Sequence, residues 1–268
     1  MCRHLAYLGP STTLAGLVTE PKCGLYEQSW APRMQRHGTV NADGFGLGWY
    51  PYIADGPPRP ARYRRSVPIW ADPNLPDLAR TIHSPAVLAA VRDATPGTSQ
   101  DECAAAPYAY DHWLFSHNGS IPDWRQLPGD LGVRLATADL LGLEAGCDSA
   151  LLWALLQQRL RAGEPPAGAL ADVTRRIAAV RPGARLNLLL TDGRTITAVR
   201  HGDTLWYRGG LDDVPSVLVA SEPDATDGWQ EVPEGSLLMA TPRTVRTIPL
   251  APVRAVERTA PHDELLLP

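Results

Sequence analysis

The sequence predicts an α+β domain of layered sheets, and three observations carry that prediction. Strand-length apolar segments thinned by glycine occupy the first part of the chain. Two stretches of helical periodicity follow, near 148–160 and 169–180, and strand-length segments then resume to about residue 239. Strands, helices and strands again, in blocks rather than in alternation, argue against repeated βαβ units. Asp192-Gly193, set between two apolar segments, is a strong hairpin signal and implies antiparallel pairing. At 268 residues the chain is long enough for a substantial core. With no internal repeat and no break in composition, one domain is expected over 2–254. The polar, proline-containing stretch 255–268 reads as a flexible tail.

Taken in order, residues 2–8 read as a first strand, interrupted by Arg3 and His4 and ended by Gly9-Pro10. Asn41-Ala42-Asp43-Gly44 is turn chemistry. After it, 45–50 reads as a strand whose glycines mark the close approach of another backbone or a ligand. Residues 62–67 are its expected partner. A short helix is expected over 75–82 and an apolar strand over 86–92. Residues 113–117 form a strand that empties into Asn118-Gly119, read as a tight turn. Asp148 or Ser149 caps a helix on which Leu151, Leu152, Leu155, Leu156 and Leu160 repeat at helical spacing. A second helix over 169–180 is closed by Arg181-Pro182-Gly183. Residues 186–190 and 195–200 flank the hairpin turn, and 205–207, 216–220 and 236–239 supply further strands.

Composition narrows the partners. A hydrophobic content of 44%, a charged content of 20% and a net charge of −4 describe a globular chain with no electrostatic call for nucleic acid or an anionic membrane. Lys22 is the only lysine, so the arginines reflect coding bias rather than a binding patch. The N-terminus lacks the pattern of a signal peptide, and there is no 18-residue apolar span. A cytoplasmic protein is therefore expected. Cys2, Cys23, Cys103 and Cys147 show neither CxxC spacing nor a nearby histidine cluster, so free thiols and no metal are expected. Self-association is left open.

The chemistry-bearing residue that stands out first is Cys2, directly behind Met1. Removal of Met1 would leave a cysteine with its own free α-amino group, a nucleophile and a base on one residue. Attack of its thiolate on an amide creates an oxyanion that needs fixed N–H donors. Asn118 and Gly119 offer a side-chain amide and a backbone N–H. An amino-acid head group needs a guanidinium for its carboxylate and an anion for its ammonium. Arg92 and Asp148 supply these, and Thr95 adds a hydroxyl.

Cys2 behind Met1, Val91-Arg92-Asp93-Ala94-Thr95, His117-Asn118-Gly119 and Asp148-Ser149, in that order, resemble the class II glutamine amidotransferase family. The long run from Arg36 to Tyr50 and Ala220-Ser221-Glu222-Pro223 resemble its stand-alone branch. The resemblance implies the four-layer αββα sandwich of N-terminal-nucleophile hydrolases. It also implies Cys2 as nucleophile, Asn118 and Gly119 as oxyanion hole, and Arg92 and Asp148 as clamp for a glutamyl group. The small-molecule substrate would then be a γ-glutamyl compound, with no metal or organic cofactor. Three positions depart from the usual pattern: Asp93 and Pro96 beside the clamp, and Ala105-Ala106-Pro107-Tyr108 in place of a His-Pro-Phe. Nothing in the chain resembles a synthase, so hydrolysis is the simpler expectation. A glutaminase subunit feeding ammonia to a partner and a non-catalytic glutamyl-binding module are the alternatives.

Overall fold

A computed structural model describes residues 2–51, 59–95, 97–210 and 214–250. Pro96 and the expected tail over 255–268 lie outside the described residues. The backbone forms two antiparallel sheets with helices on the outer face of each.

The first sheet is organised around β1 (Arg3–Thr13). Its neighbours are β4 (His83–Val91) on one side and β10 (Val217–Ala220) on the other, both antiparallel. Beyond β4 lie β2 (Phe45–Trp49) and β3 (Ala61–Arg65). Beyond β10 lie β9 (Trp206–Gly209) and the short β11 (Gln230–Glu231), which gives the order β11-β9-β10-β1-β4-β2-β3. The second sheet runs β13 (Thr244–Pro249), β12 (Ser236–Thr241), β8 (Ile196–Arg200), β7 (Arg185–Thr191), β6 (Trp113–Ser120) and β5 (Tyr108–Tyr110).

The period of two along each strand assigns each side chain to one layer. In β1, Leu5 and Tyr7 face α1 (Leu14–Val18), α2 (Leu25–Gln28) and α3 (Leu75–Thr81) in one core cluster. Ala6 and Leu8 face the other way and pack with Leu114, Leu189, Ala198 and Leu238 of the second sheet. On the far side of that sheet, Phe115, Leu186, Leu188 and Leu190 meet α6 (Asp148–Arg161) and α7 (Pro166–Val180). The layers are therefore helix, sheet, sheet, helix, which is the αββα sandwich. Two further short helices, α4 (Leu127–Asp130) and α5 (Thr137–Leu141), lie in the connection from β6 to α6.

The glycines of β2 act as the sequence implied. A Cβ on Gly46 would sit 2.2 Å from the Ala106 carbonyl oxygen, and one on Gly48 2.7 Å from both Leu114 and Pro107. Only glycine lets the 105–107 segment lie against this strand.

Several boundaries differ from the sequence reading. β1 does not stop at Gly9-Pro10. It continues to Thr13 across a register shift between Leu8 and Thr12, because β4 supplies partners for Thr12 and Thr13 beyond the irregularity. Asn118-Gly119 is not a turn: both lie inside β6, opposite Asn187 and Leu186 of β7. Cys147, rather than Asp148 or Ser149, is the N-cap of α6, and Asp148 opens the helix itself. The helices expected over 75–82 and 169–180 form as α3 and α7, the latter starting three residues earlier at Pro166.

The inter-sheet layer is one of the buried apolar clusters that hold this arrangement together. Leu88 is fully buried there, so Leu88→Ala should lower unfolding free energy by ~2–5 kcal/mol. Leu141, 83% exposed, should tolerate the same change within ~0.5 kcal/mol. Chemical denaturation of the two variants checks the contrast.

Candidate active site

The sequence-predicted residues gather at one end of the sandwich. Register places Arg3 opposite Val91, so Cys2 precedes β1 where Arg92 follows β4. Cys2 is partly buried. Burial pushes its thiol above the ordinary value. The Asp93 backbone N–H and the Arg92 charge pull the other way, while Asp148 adds to the rise. The Asp93 backbone N–H is thus the thiol's hydrogen-bond donor, and Arg92 and Asp148 are near enough for their charges to act on it. Alternation also puts Cys2 on the same face of β1 as His4, Ala6 and Leu8, toward the second sheet.

Arg92 is held at the mouth of its strand by the turn before β2. Its backbone N–H donates to Gly44 O at 2.8 Å, and its carbonyl accepts from Asp43 N at 2.9 Å. The Asp43 carboxylate accepts from Ala94 N at 2.7 Å. The guanidinium donates to Ser99 O (2.7 Å), Thr98 Oγ1 (3.2 Å) and Asp43 O (3.4 Å). Guanidinium has five N–H bonds, so these contacts leave two uncommitted by any described bond. Asp43 thus does more than the turn role its sequence suggested: it ties the clamp loop to the strand. Thr95 is exposed. Its carbonyl accepts from the backbone and hydroxyl of Thr98, and it is the Thr98 hydroxyl that meets Arg92.

Asp148 is fixed by two backbone donors, Ile121 N at 2.9 Å and Ser149 N at 2.8 Å. A carboxylate has about four acceptor positions, so capacity for an ammonium remains. The Ile121 contact also brings the C-terminal end of β6 to Asp148, and hence to Cys2. His117 supports the same corner. Its Nε2 lies 2.9 Å from Arg185 O and its Nδ1 2.9 Å from Ser149 Oγ. A carbonyl only accepts, so Nε2 carries the proton and Nδ1 takes the Ser149 hydroxyl.

Asn118 and Gly119 owe their positions to ladder geometry. Leu186 donates to His201 O on the β8 side, so it turns its polar groups away from β6. Its partner Gly119 is then in a non-hydrogen-bonded pair, and the Gly119 N–H points to the opposite edge. On that edge β5 has already ended, since Tyr108 pairs with Phe115. Gly119 has no room for a side chain: a Cβ would lie 1.9 Å from Arg185 O. Asn118, one residue earlier, is bonded to β7 and sends its fully buried side chain between the sheets, where its amide meets Ser221 Oγ at 3.1 Å.

Behind these residues lies a buried polar layer that the sequence reading treated as an interruption of the first strand. His4 is fully buried, with its backbone N–H on Ser221 Oγ at 3.0 Å and its Nδ1 3.0 Å from Ser116 Oγ. Arg3 points to the other face and pairs with Glu222 at 3.7 Å, both side chains fully buried. The Glu222 carboxylate also accepts from Arg33 N (3.0 Å) and Met34 N (2.8 Å), which anchors the loop between α2 and β2. Asn41 braces that loop, donating to Gln28 O at 3.0 Å and Gln35 Oε1 at 3.1 Å. The Ser221-Glu222 pair at a strand end was visible in the sequence; that it holds two structures at once was not. Among the aromatic residues near the motifs, Tyr50 is buried and spends its hydroxyl on His112 O and Thr191 O, each at 2.8 Å. Trp30 and Trp70 are exposed and meet edge to face at 5.7 Å. No cluster of His, Cys, Asp or Glu suited to a metal occurs among the described residues, and no helix among them is long and apolar enough to cross a membrane.

Burial, with the neighbouring His117 ring and the Arg3 charge, pushes the His4 imidazole down from 6.5 to about 3. The unfolded chain therefore takes up this proton first as pH falls. The stability tied to neutral His4 is complete above about pH 6.5 and is lost progressively toward pH 3. Within that window the slope approaches ~1.4 kcal/mol per pH unit for one proton. His4→Gln should flatten the dependence of unfolding free energy on pH between pH 4 and 6 by roughly that amount. Urea titrations at stepped pH read it directly.

Comparison with known proteins identifies the family. The pattern of class-II glutamine amidotransferases matches residues 16–209, a span that holds Arg92, Asn118, Gly119 and Asp148. The γ-glutamyl-hercynylcysteine sulfoxide hydrolase of Mycobacterium tuberculosis (strain CDC 1551 / Oshkosh) is 37% identical over 246 residues, covering 91% of this chain and 95% of that protein. The protein of the same name from Mycolicibacterium smegmatis is 37% identical over 251 residues, covering 93% of this chain and all of that one (100%). Among solved structures, a glutamine aminotransferase class-II domain protein of Silicibacter pomeroyi superposes with a TM-score of 0.66 over 94% of this chain and 100% of its own, at 24% identity, and so shares the fold. The chain belongs to the class II glutamine amidotransferase family and has the sandwich of the N-terminal-nucleophile hydrolases.

Proposed function

We propose that the protein hydrolyses the γ-glutamyl amide of γ-glutamyl hercynylcysteine S-oxide, releasing glutamate and hercynylcysteine S-oxide, a step in ergothioneine biosynthesis. The observation that carries this reading is the near full-length similarity, at 37% identity, to two relatives bearing that activity in their names. The geometry around Cys2 supports the glutamyl half. A guanidinium with uncommitted donors and a carboxylate with uncommitted acceptors lie by the same thiol, which suits an α-carboxylate and an α-ammonium.

In the proposed cycle Met1 has been removed, and the α-amino group of Cys2 takes the thiol proton. The thiolate adds to the γ-carbonyl carbon. The oxyanion that forms is met by the Asn118 amide and the Gly119 N–H, each such donor contributing ~3 kcal/mol to transition-state stabilisation. Collapse breaks the C–N bond, and the ammonium of Cys2 gives its proton to the departing amine. Water, deprotonated by the same amine, then attacks the thioester and frees glutamate. Arg92 and Asp148 hold the glutamyl group throughout, and the cycle uses no metal or organic cofactor.

The test is glutamate release from γ-glutamyl hercynylcysteine S-oxide and, separately, from glutamine. The sulfoxide substrate should be favoured by orders of magnitude in kcat/KM. A preference for glutamine, with ammonia release stimulated by a second protein, would instead identify a glutaminase subunit. Cys2→Ala should abolish turnover with either compound, and a variant that stays active excludes Cys2 as nucleophile. Asp148→Asn should raise KM about tenfold or more for both, since it removes an ionic partner of the shared glutamyl end.

A further inference from the structure

The hydrogen-bond arithmetic around Ser221 is incomplete in a way that points to a role in the reaction. Ser221 Oγ receives the His4 backbone N–H at 3.0 Å and lies 3.1 Å from Asn118 Nδ2. With both as donors the hydroxyl accepts twice, and no described acceptor takes its own proton. Asn118 Oδ1, meanwhile, is buried without any partner. A hydroxyl proton without an acceptor and a buried amide oxygen without a donor, on neighbouring side chains, each leave a desolvation cost unmet. Turning the Asn118 amide by 180° pairs these two groups with each other and leaves the two Nδ2 N–H bonds, at the position Oδ1 held, for an incoming acceptor. The two ends of a carboxamide have nearly the same size, so hydrogen bonding decides which way it faces.

We propose that Ser221 is a positioning residue for the oxyanion donor: its hydroxyl accepts the His4 backbone N–H and donates to Asn118 Oδ1, so that the Asn118 N–H bonds face the reacting carbonyl. The placement suits this role. Ser221 follows β10, and its backbone N–H donates to His4 O at 2.9 Å, so it sits beside the first residues of the nucleophile strand. Asn118 projects into the same inter-sheet layer from β6. One hydroxyl therefore links the strand that carries Cys2 to the side chain that receives the oxyanion. The donor chain has a single direction, since a backbone N–H only donates. With its oxygen engaged by His4, the Ser221 hydroxyl keeps its own proton available for Asn118, and an amide oriented in advance needs no rearrangement as charge develops.

This inference rests on Asn118 acting as oxyanion donor, and a double-mutant cycle separates the two claims. Ser221→Ala should lower kcat about tenfold or more and leave KM within about twofold, because the hydroxyl acts only as the oxyanion forms. Ser221→Thr, which keeps the hydroxyl, should restore most of kcat. In an Asn118→Ala background, Ser221→Ala should cost nothing further. A purely structural role would multiply the two losses, and multiplied losses overturn the proposal, as does a Ser221→Ala enzyme with normal kcat. If Asn118→Ala itself retains full kcat, the oxyanion reading fails along with it. Should Ser221→Ala not fold, Ser221→Cys, similar in shape but with a far weaker donor, carries the same comparison.

Discussion

The site depends on the pairing of β1 along both of its edges. β10 and β4 take up its hydrogen bonds from the first residues onward, with Leu5 opposite both Ala220 and Ala89. A chain terminus normally frays, because its last residues have few partners. Here the terminus enters the middle of a seven-stranded sheet, and Arg3 and His4 are wholly buried. Cys2 therefore directly precedes residues fixed in the interior of the sheet. An α-amino group can serve as a base only if it is kept this close to the reacting atoms.

Every other site residue is referred to that strand. Arg92 leaves β4, the direct neighbour of β1. Ser221 leaves β10, the neighbour on the other side. Asn118 and Gly119 come from β6 of the facing sheet, joined to β1 through the His4–Ser116 and Asn118–Ser221 contacts. Asp148 opens α6 and reaches the same corner through Ile121. The site is thus assembled where strand ends from two sheets and one helix start converge. Its polar layer lies between the sheets, where burial makes unpaired groups expensive and so fixes orientation.

Much of this was legible in the sequence, for physical reasons. The Leu151 to Leu160 periodicity becomes α6, and the Asp192-Gly193 turn joins β7 to β8. The candidate site residues Cys2, Arg92, Asn118 and Asp148 also stood out, since each carries a polar or reactive side chain that an apolar core does not call for. The misreadings share one cause: local chemistry was overruled by long-range pairing. Asn118-Gly119 has turn propensity, yet β7 supplies a ladder that carries the strand through it. Gly9-Pro10 looks like a stop, yet β4 extends beyond it and carries β1 on to Thr13. Arg3 and His4 break the apolar pattern because their partners, Glu222 and Ser116, are more than a hundred residues away in sequence. Asp43 looked like a turn former, and only the fold shows its carboxylate on Ala94. No local pattern encodes such contacts.

The central claim is that Cys2, exposed as the first residue by loss of Met1, forms a thioester with the glutamyl group. The most direct measurement is mass spectrometry of enzyme quenched with acid during turnover of γ-glutamyl hercynylcysteine S-oxide, followed by digestion. The account predicts one glutamyl adduct, on a peptide that begins at Cys2. Turnover by protein that still carries Met1, or an adduct on Cys23, Cys103 or Cys147, would contradict it.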